Sequence, residues 1–122
     1  MSKTILTIDD SASVRQMVVL TLSGAGHQVI EAGNGADGYT KAIAQPVDAV
    51  ITDLNMPVMN GIEFIRKYRQ HPASKGVPII LLTTESDETL KAEAKAAGAT
   101  GWIVKPFKQD QLVAVIKKVT GA

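Results

Sequence analysis

Residues 49–61 read AVITDLNMPVMNG, and this stretch decides both the fold class and the position of the candidate site. The short apolar run 49–51 has the composition of a buried strand, and it leads to a single carboxylate, Asp53. Pro57 and Gly61 then favour a loop before the next helical pattern begins. The stretch therefore predicts an acid at the carboxyl end of a strand, which in an open parallel α/β sheet is the edge where ligands bind.

The same strand-then-helix pattern occurs five times. Apolar segments rich in β-branched residues predict strands at 4–8, 28–32, 49–51, 78–83 and 101–104, and the apolar spacing after each predicts a helix, the third over 61–70 and the fourth over 87–97. The run PIILLT at 78–83 is continuously apolar, as in strands buried on both faces. The pattern predicts a parallel sheet with helices on both sides.

Composition restricts the class of protein. The 122 residues fit one domain, spanning 1–122, and 45% apolar and 20% charged residues argue against disorder. Thirteen basic residues balance 12 acidic ones without a block of like charge, which argues against nucleic-acid or membrane-surface binding. Cysteine is absent, so thiol chemistry is excluded, and no apolar run approaches the ~20 residues of a membrane span. We expect a cytoplasmic monomer.

Polar side chains follow four of the predicted strands. Asp9 and Asp10 come after the first, Asp53 after the third, Thr83 after the fourth and Lys105 after the fifth. Three neighbouring carboxylates repel one another and raise at least one pKa, and Mg²⁺ would relieve this repulsion while leaving positions open for phosphate oxygens. A hydroxyl and an ammonium group complete a set that can hold a phosphoryl group on one carboxylate. Each residue alone has an ordinary structural role, but together they predict a site.

These residues, with Lys105-Pro106-Phe107, stand in the order and spacing of a known family. The sequence resembles the receiver domains of two-component response regulators over essentially its whole length. The resemblance implies a flavodoxin-like (βα)5 three-layer sandwich with strand order 2-1-3-4-5. It also implies that Asp53 accepts a phosphoryl group from a sensor histidine kinase and later loses it by autodephosphorylation, so the protein is not a conventional enzyme. The residues by themselves leave open whether Asp53 or Asp10 is the nucleophile.

The resemblance also implies roles for the remaining site residues. Asp10 and Asp53 would ligate Mg²⁺ directly, together with the backbone carbonyl of Asn55, and Asp9 would act mainly through water. Lys105 would pair with the phosphoryl group, and its peptide bond to the following proline would be cis.

The resemblance further implies a conformational switch. The Thr83 hydroxyl would turn toward the phosphoryl oxygens and vacate space for an aromatic side chain three residues before the lysine. Here that residue is Trp102, where Tyr or Phe is commoner, and its indole N–H needs a partner when buried. Asn55 and Glu85 occupy the two positions that, in that family, tune the lifetime of the phosphoryl group. Asn with Glu is similar to single-domain chemotaxis regulators of CheY type, which implies output to a flagellar switch protein through the last two βα units.

Three alternatives follow from the same residues. A phosphorelay intermediate or phosphate sink would share the site but lack a motor target. A phosphatase of the haloacid dehalogenase type would need a second acid two residues after Asp53, and the carboxamide of Asn55 cannot serve as a general acid. A flavodoxin would need a Ser- and Thr-rich phosphate loop where Asp9 and Asp10 would repel the cofactor.

Overall fold

Five strands alternate with five helices in a computed structural model that describes residues 2–121. The strands are β1 (Thr4–Ile8), β2 (Gln28–Ala32), β3 (Ala49–Thr52), β4 (Ile79–Thr83) and β5 (Gly101–Val104). The helices are α1 (Ala12–Gly24), α2 (Gly35–Ala44), α3 (Gly61–Arg69), α4 (Glu88–Ala97) and α5 (Gln109–Thr120), with a short 3₁₀ turn at Pro72–Ser74. Among residues 2–121, no helix combines the length and the apolar character that crossing a membrane requires.

All five strands pair in parallel in the order β2-β1-β3-β4-β5, which confirms the predicted order and the α/β fold class. The register pairs Ile8 with Thr52 and Thr83 with Val104. The carboxyl ends of β1, β3, β4 and β5 therefore meet at one edge of the sheet, as the candidate site requires.

Helices cover both faces of the sheet because successive strand residues point to opposite sides. On one side, Val50 and Leu81 pack with Phe64 of α3 in a core that also includes residues of α2 and α4. On the other side, Ile51 and Ile80 pack with residues of α1 and α5. Strands β3 and β4 are buried at every position and are apolar on both faces, as the sequence predicts for β4.

Local interactions fix where α3 begins relative to the acid of β3. Asn60 and Glu63 form a capping box in which each side chain accepts a hydrogen bond from the other residue's backbone N–H. The N–H of Gly61 donates to the carbonyl of Leu54 at 2.8 Å. A Cβ at Gly61 would lie only 2.2 Å from the carbonyl oxygen of Asp53, so only glycine allows α3 to pack this closely against the site.

Four predicted boundaries were wrong by one residue. Strand β3 ends at Thr52 rather than at residue 51. Helix α3 ends at Arg69 rather than at residue 70. Helix α4 begins at Glu88 because Asp87 lies before the first turn as its N-cap, where one carboxylate oxygen accepts the N–H groups of Thr89 and Leu90. Strand β4 begins at Ile79, one residue after a proline that has no N–H to donate.

Candidate functional site

The sheet edge brings together the three predicted carboxylates. Asp9, Asp10 and Asp53 each place a carboxylate oxygen within 4.8 Å of the others. The pairing of β1 with β3 sets this spacing, because the N–H of Asp53 donates to the carbonyl of Ile8 at 2.8 Å. Asp9 and Asp53 are buried, whereas Asp10 is exposed. The first and third strands therefore hold the acids side by side without any long loop.

Lys105 brings a positive charge to the same place. Its N–H donates to the carbonyl of Thr83 at 2.8 Å, which extends the pairing of β4 and β5 by one residue. Its ammonium Nζ lies 2.9 Å from Asp9 Oδ2 and 3.6 Å from Asp53 Oδ2. The peptide bond from Lys105 to Pro106 is cis, as predicted. One lysine thus faces two buried carboxylates.

Asp53 is the carboxylate with the most perturbed surroundings. Burial raises the pKa of Asp53 above its ordinary value, and the charge of Asp9 raises it further. The charge of Lys105, the N–H of Leu54 at 2.8 Å from Oδ1 and the hydroxyl of Thr83 act in the opposite direction but do not cancel the effect. Three carboxylates against one ammonium group leave excess negative charge in a partly buried site.

The donor set fits a hard divalent cation. All three side chains offer carboxylate oxygens, which Mg²⁺ prefers over nitrogen or sulfur ligands. Both oxygens of Asp9 already accept hydrogen bonds, Oδ1 from the N–H of Ser11 and Oδ2 from Lys105. The division in which Asp10 and Asp53 are direct ligands and Asp9 acts through water stays a prediction.

Hydrogen bonds connect the predicted switch residues to Glu85. Thr83 is fully buried, and its hydroxyl oxygen accepts the N–H of Glu85 at 3.3 Å. The indole Nε1 of Trp102 donates to the carbonyl oxygen of Glu85 at 2.9 Å, which supplies the partner that a half-buried indole requires. The amide of Asn55 donates to the Glu85 carboxylate at 3.3 Å. Thr83, Trp102 and Asn55 are therefore connected through Glu85.

Two features of the site were not predicted. Arg15 on α1 donates from Nη1 to the carbonyl of Asp9 and from Nε to Glu31 at 3.3 Å. It therefore helps to fix the backbone of Asp9. An arginine one helical turn after the acid pair is the signal that could have indicated it. Val58, in the loop after Asp53, has φ of 70° and is 82% exposed. A β-branched residue is rare in this conformation, and the sequence gives no sign of it.

Comparison with protein families identifies the kind of domain to which this site belongs. The model of the response regulator receiver domain matches residues 5–117. The chain belongs to this family. Membership agrees with the residues, which argue against a phosphatase and a flavodoxin, and it accounts for an acid edge assembled from β1 and β3.

Relatives of this receiver domain include proteins of two kinds. It is 37% identical over 119 residues to chemotaxis protein CheY1 of Helicobacter pylori, with 96% of each chain covered. It is also 34% identical over 117 residues to the phosphate regulon transcriptional regulatory protein PhoB of Pseudomonas aeruginosa, but it spans only 51% of that protein. The same domain therefore occurs in a chemotaxis protein of similar length and in a transcriptional regulator about twice as long.

Solved structures resemble the receiver domain over its whole length. Chemotaxis protein CheY4 of Vibrio cholerae superposes with a TM-score of 0.93 at 44% identity, covering 98% of this chain and 99% of CheY4. The receiver domain of the sensor histidine kinase PA1611 from Pseudomonas aeruginosa superposes with a TM-score of 0.92 at 25% identity, with both chains fully covered. That structure has a magnesium ion coordinated in its active site cleft. The acidic edge described here is a candidate for the same kind of site.

Proposed function

We propose that this receiver domain is cytoplasmic, is phosphorylated on Asp53 by a sensor histidine kinase and signals in chemotaxis. The observation that carries the proposal is the position of Asp53, whose Oδ1 is held by the N–H of Leu54 while Oδ2 faces Lys105 at 3.6 Å. The carboxylate is held at Oδ1, and its Oδ2 lies near the Lys105 ammonium group without a short hydrogen bond to it. Such a carboxylate is oriented to attack a phosphorus atom.

The chemistry is a phosphoryl transfer. An oxygen of Asp53 forms a bond to the phosphorus of a phosphohistidine, the P–N bond breaks, and its electron pair returns to the imidazole of the kinase. The ammonium group of Lys105, which donates a hydrogen bond to Asp9, would turn to neutralise one phosphoryl oxygen. The Thr83 hydroxyl would donate to another phosphoryl oxygen. Asp10, Asp53 and the carbonyl of Asn55 would hold Mg²⁺, which when bound neutralises the negative charge of the acids and the phosphoryl group.

The proposed output surface is formed by the last two βα units. A groove of about 240 Å³ lies between α4 and β5, and Lys91, Lys95, Ala99 and Trp102 line it. Helix α4 contributes only Ala94 to the fully buried core, so its position can adapt more easily than that of the other helices. We propose that a flagellar switch protein binds at this surface after phosphorylation. CheY1 and CheY4, named as chemotaxis proteins, support this assignment over the transcriptional role of PhoB.

Trp102 provides the test, because it is the only tryptophan of the chain. Its fluorescence is followed while Mg²⁺ and then beryllofluoride, which mimics a phosphoryl group on a carboxylate, are added to the wild type and to Asp53→Asn. A change that needs both additions and is lost in Asp53→Asn is expected. No response to beryllofluoride in the wild type would contradict phosphorylation of this site.

A second experiment separates chemotaxis from the alternative. The beryllofluoride form is titrated with a peptide from a flagellar switch protein, with the unactivated form as the control. Tighter binding of the activated form is expected for a chemotaxis regulator. Equal, negligible binding with a normal fluorescence response would favour a phosphorelay intermediate or a phosphate sink.

A further inference from the structure

Arg15 on α1 connects the loop that carries Asp9 and Asp10 to the edge strand of the sheet. Its Nη1 donates to the carbonyl oxygen of Asp9, and its Nε donates to the carboxylate of Glu31 on β2 at 3.3 Å. The Arg15 side chain is only 21% exposed, so it is largely shielded from water. Because two acceptors on different segments hold one planar guanidinium group, Arg15 bridges β2 and the backbone that follows β1.

The carbonyl that Arg15 holds belongs to the peptide unit between Asp9 and Asp10. This unit is planar, so holding its carbonyl oxygen also fixes the direction in which the chain enters Asp10. On the other side of Asp9, its N–H donates to the carbonyl of Ala32, the last residue of β2, at 3.1 Å. The backbone on both sides of Asp9 is therefore fastened to β2.

Asp10 depends on this backbone more than the other two acids do. Two donors hold the Asp9 carboxylate, and a backbone N–H holds one oxygen of the Asp53 carboxylate. Both of these acids are buried, whereas Asp10 is exposed. The position of the Asp10 carboxylate beside the other two is thus set mainly by the peptide unit that Arg15 holds.

We propose that Arg15 is a positioning residue for Mg²⁺, acting through the backbone of Asp9 on the direction of the Asp10 carboxylate. This inference rests on the proposed function, in which Asp10 is a ligand of Mg²⁺. The positive charge of Arg15 by itself would weaken the binding of a cation. Its hydrogen bond to the Asp9 carbonyl strengthens binding by orienting a ligand. The two effects have opposite signs, so a neutral substitution distinguishes them.

The choice of cation distinguishes positioning from electrostatics in a second way. Mg²⁺ requires near-octahedral geometry at about 2.0–2.1 Å, whereas Ca²⁺ accepts flexible arrangements of oxygens at about 2.3–2.6 Å. A displaced Asp10 carboxylate should therefore weaken the binding of Mg²⁺ more than that of Ca²⁺. Both cations carry the same charge, so a change in electrostatics affects both alike. The ratio of the two dissociation constants reports the position of the ligand.

The test compares Arg15→Gln with the wild type. Each dissociation constant is obtained from the rise in the free energy of unfolding in urea that the cation causes in the same variant, so a lower starting stability does not enter the comparison. The dissociation constant of Mg²⁺ is expected to increase about tenfold, the lower end of the range for removing an interaction that orients a metal ligand. The dissociation constant of Ca²⁺ should change much less.

Lys41→Gln is the matched control for charge. It removes the same charge from a side chain on α2 that donates to the carbonyl of Glu31 instead of the carbonyl of Asp9. The ratio of the Mg²⁺ and Ca²⁺ dissociation constants is expected to stay at the wild-type value in this variant. A change as large as that in Arg15→Gln would show that charge near β2, and not the hold on Asp9, controls the site, and would overturn the inference.

Arg15→Lys is a second variant, which keeps the charge and most of the aliphatic chain. Its single ammonium group lacks the fork of donors that bridges Asp9 and Glu31, so we expect a smaller, Mg²⁺-specific loss of affinity of about threefold. An unchanged ratio in either Arg15 variant, or tighter Mg²⁺ binding in Arg15→Gln, would overturn the inference and leave the proposed function intact. A wild-type protein that gains no stability from Mg²⁺ would overturn the proposed metal site, and this inference with it.

Discussion

Gly61, the first residue of α3, packs directly against the backbone of the proposed acceptor. A Cβ at this position would lie 2.2 Å from the carbonyl oxygen of Asp53 and 3.1 Å from both Leu54 Cα and Leu81 Cδ2. Two of these atoms belong to the backbone and cannot rotate away. Gly61→Ala must therefore displace the end of β3 or the start of α3 by about 1 Å to restore ordinary contact distances.

The expected cost has two parts. Overpacking of this kind costs about 1–3 kcal/mol, and loss of the Gly61 to Leu54 hydrogen bond adds roughly 1 kcal/mol. For a chain of 122 residues, 1 kcal/mol corresponds to about 4 °C in melting temperature. The variant should melt roughly 8–16 °C lower and still fold at room temperature. Because a 1 Å misplacement of a reacting group costs on the order of 100-fold in rate, phosphorylation should slow by a similar factor.

Thermal unfolding and the initial rate of phosphorylation by phosphoramidate measure both effects. Gly24→Ala is the matched control. In the part of the chain that the structure describes, a Cβ at Gly24 meets no atom within 4 Å, and the residue lies at the end of α1. Its stability should stay equal or rise slightly, with a normal rate. If Gly61→Ala behaved like Gly24→Ala in both assays, the argument that close packing of α3 positions Asp53 would be refuted.

Three further predictions concern stability. Burial and the charge of Asp9 raise the folded-state pKa of Asp53 above 3.8. The stability that the neutral carboxyl provides is therefore lost as pH rises through the folded-state pKa. Asp53→Asn without Mg²⁺ should consequently resist urea better than the wild type at neutral pH. The advantage should shrink near pH 3.8, and a constant advantage would contradict this cause. Thr21→Val removes a buried hydroxyl that has no hydrogen-bond partner within residues 2–121, and it should raise the free energy of unfolding by about 1 kcal/mol. A lower free energy of unfolding in a urea titration would show that the hydroxyl is hydrogen-bonded. Val58→Asn relieves a φ of 70° and should raise the melting temperature by roughly 4 °C, whereas an unchanged value would argue against strain there.

The sequence predicted the layers of the fold well because burial leaves a clear pattern. The run that ends at Thr83 is apolar at every position before it, which is typical of a strand covered on both sides. The order of the strands was predicted from the family resemblance, because apolar runs do not show which strands are neighbours in the sheet. The start of α4 was misplaced because Asp87 favours both a first turn and an N-cap, and only the backbone geometry distinguishes the two.

The site was predictable as a set of residue types at strand ends, but not as a set of contacts. The acids, the hydroxyl and the lysine could be found because parallel strands end at one edge. The bond from Trp102 to Glu85 could not, because its acceptor is a backbone carbonyl, which every residue has. The same holds for Arg15, which donates to the carbonyl of Asp9.

The central claim is that Asp53 accepts a phosphoryl group with the help of Mg²⁺. Its most direct test is the intact mass of the protein after incubation with phosphoramidate, with and without Mg²⁺, for the wild type and Asp53→Asn. We predict a gain of one phosphoryl group in the wild type with Mg²⁺, little gain without the metal, and none in Asp53→Asn. An equal gain in Asp53→Asn, or no gain in the wild type with Mg²⁺, would contradict the assignment of Asp53 as the acceptor.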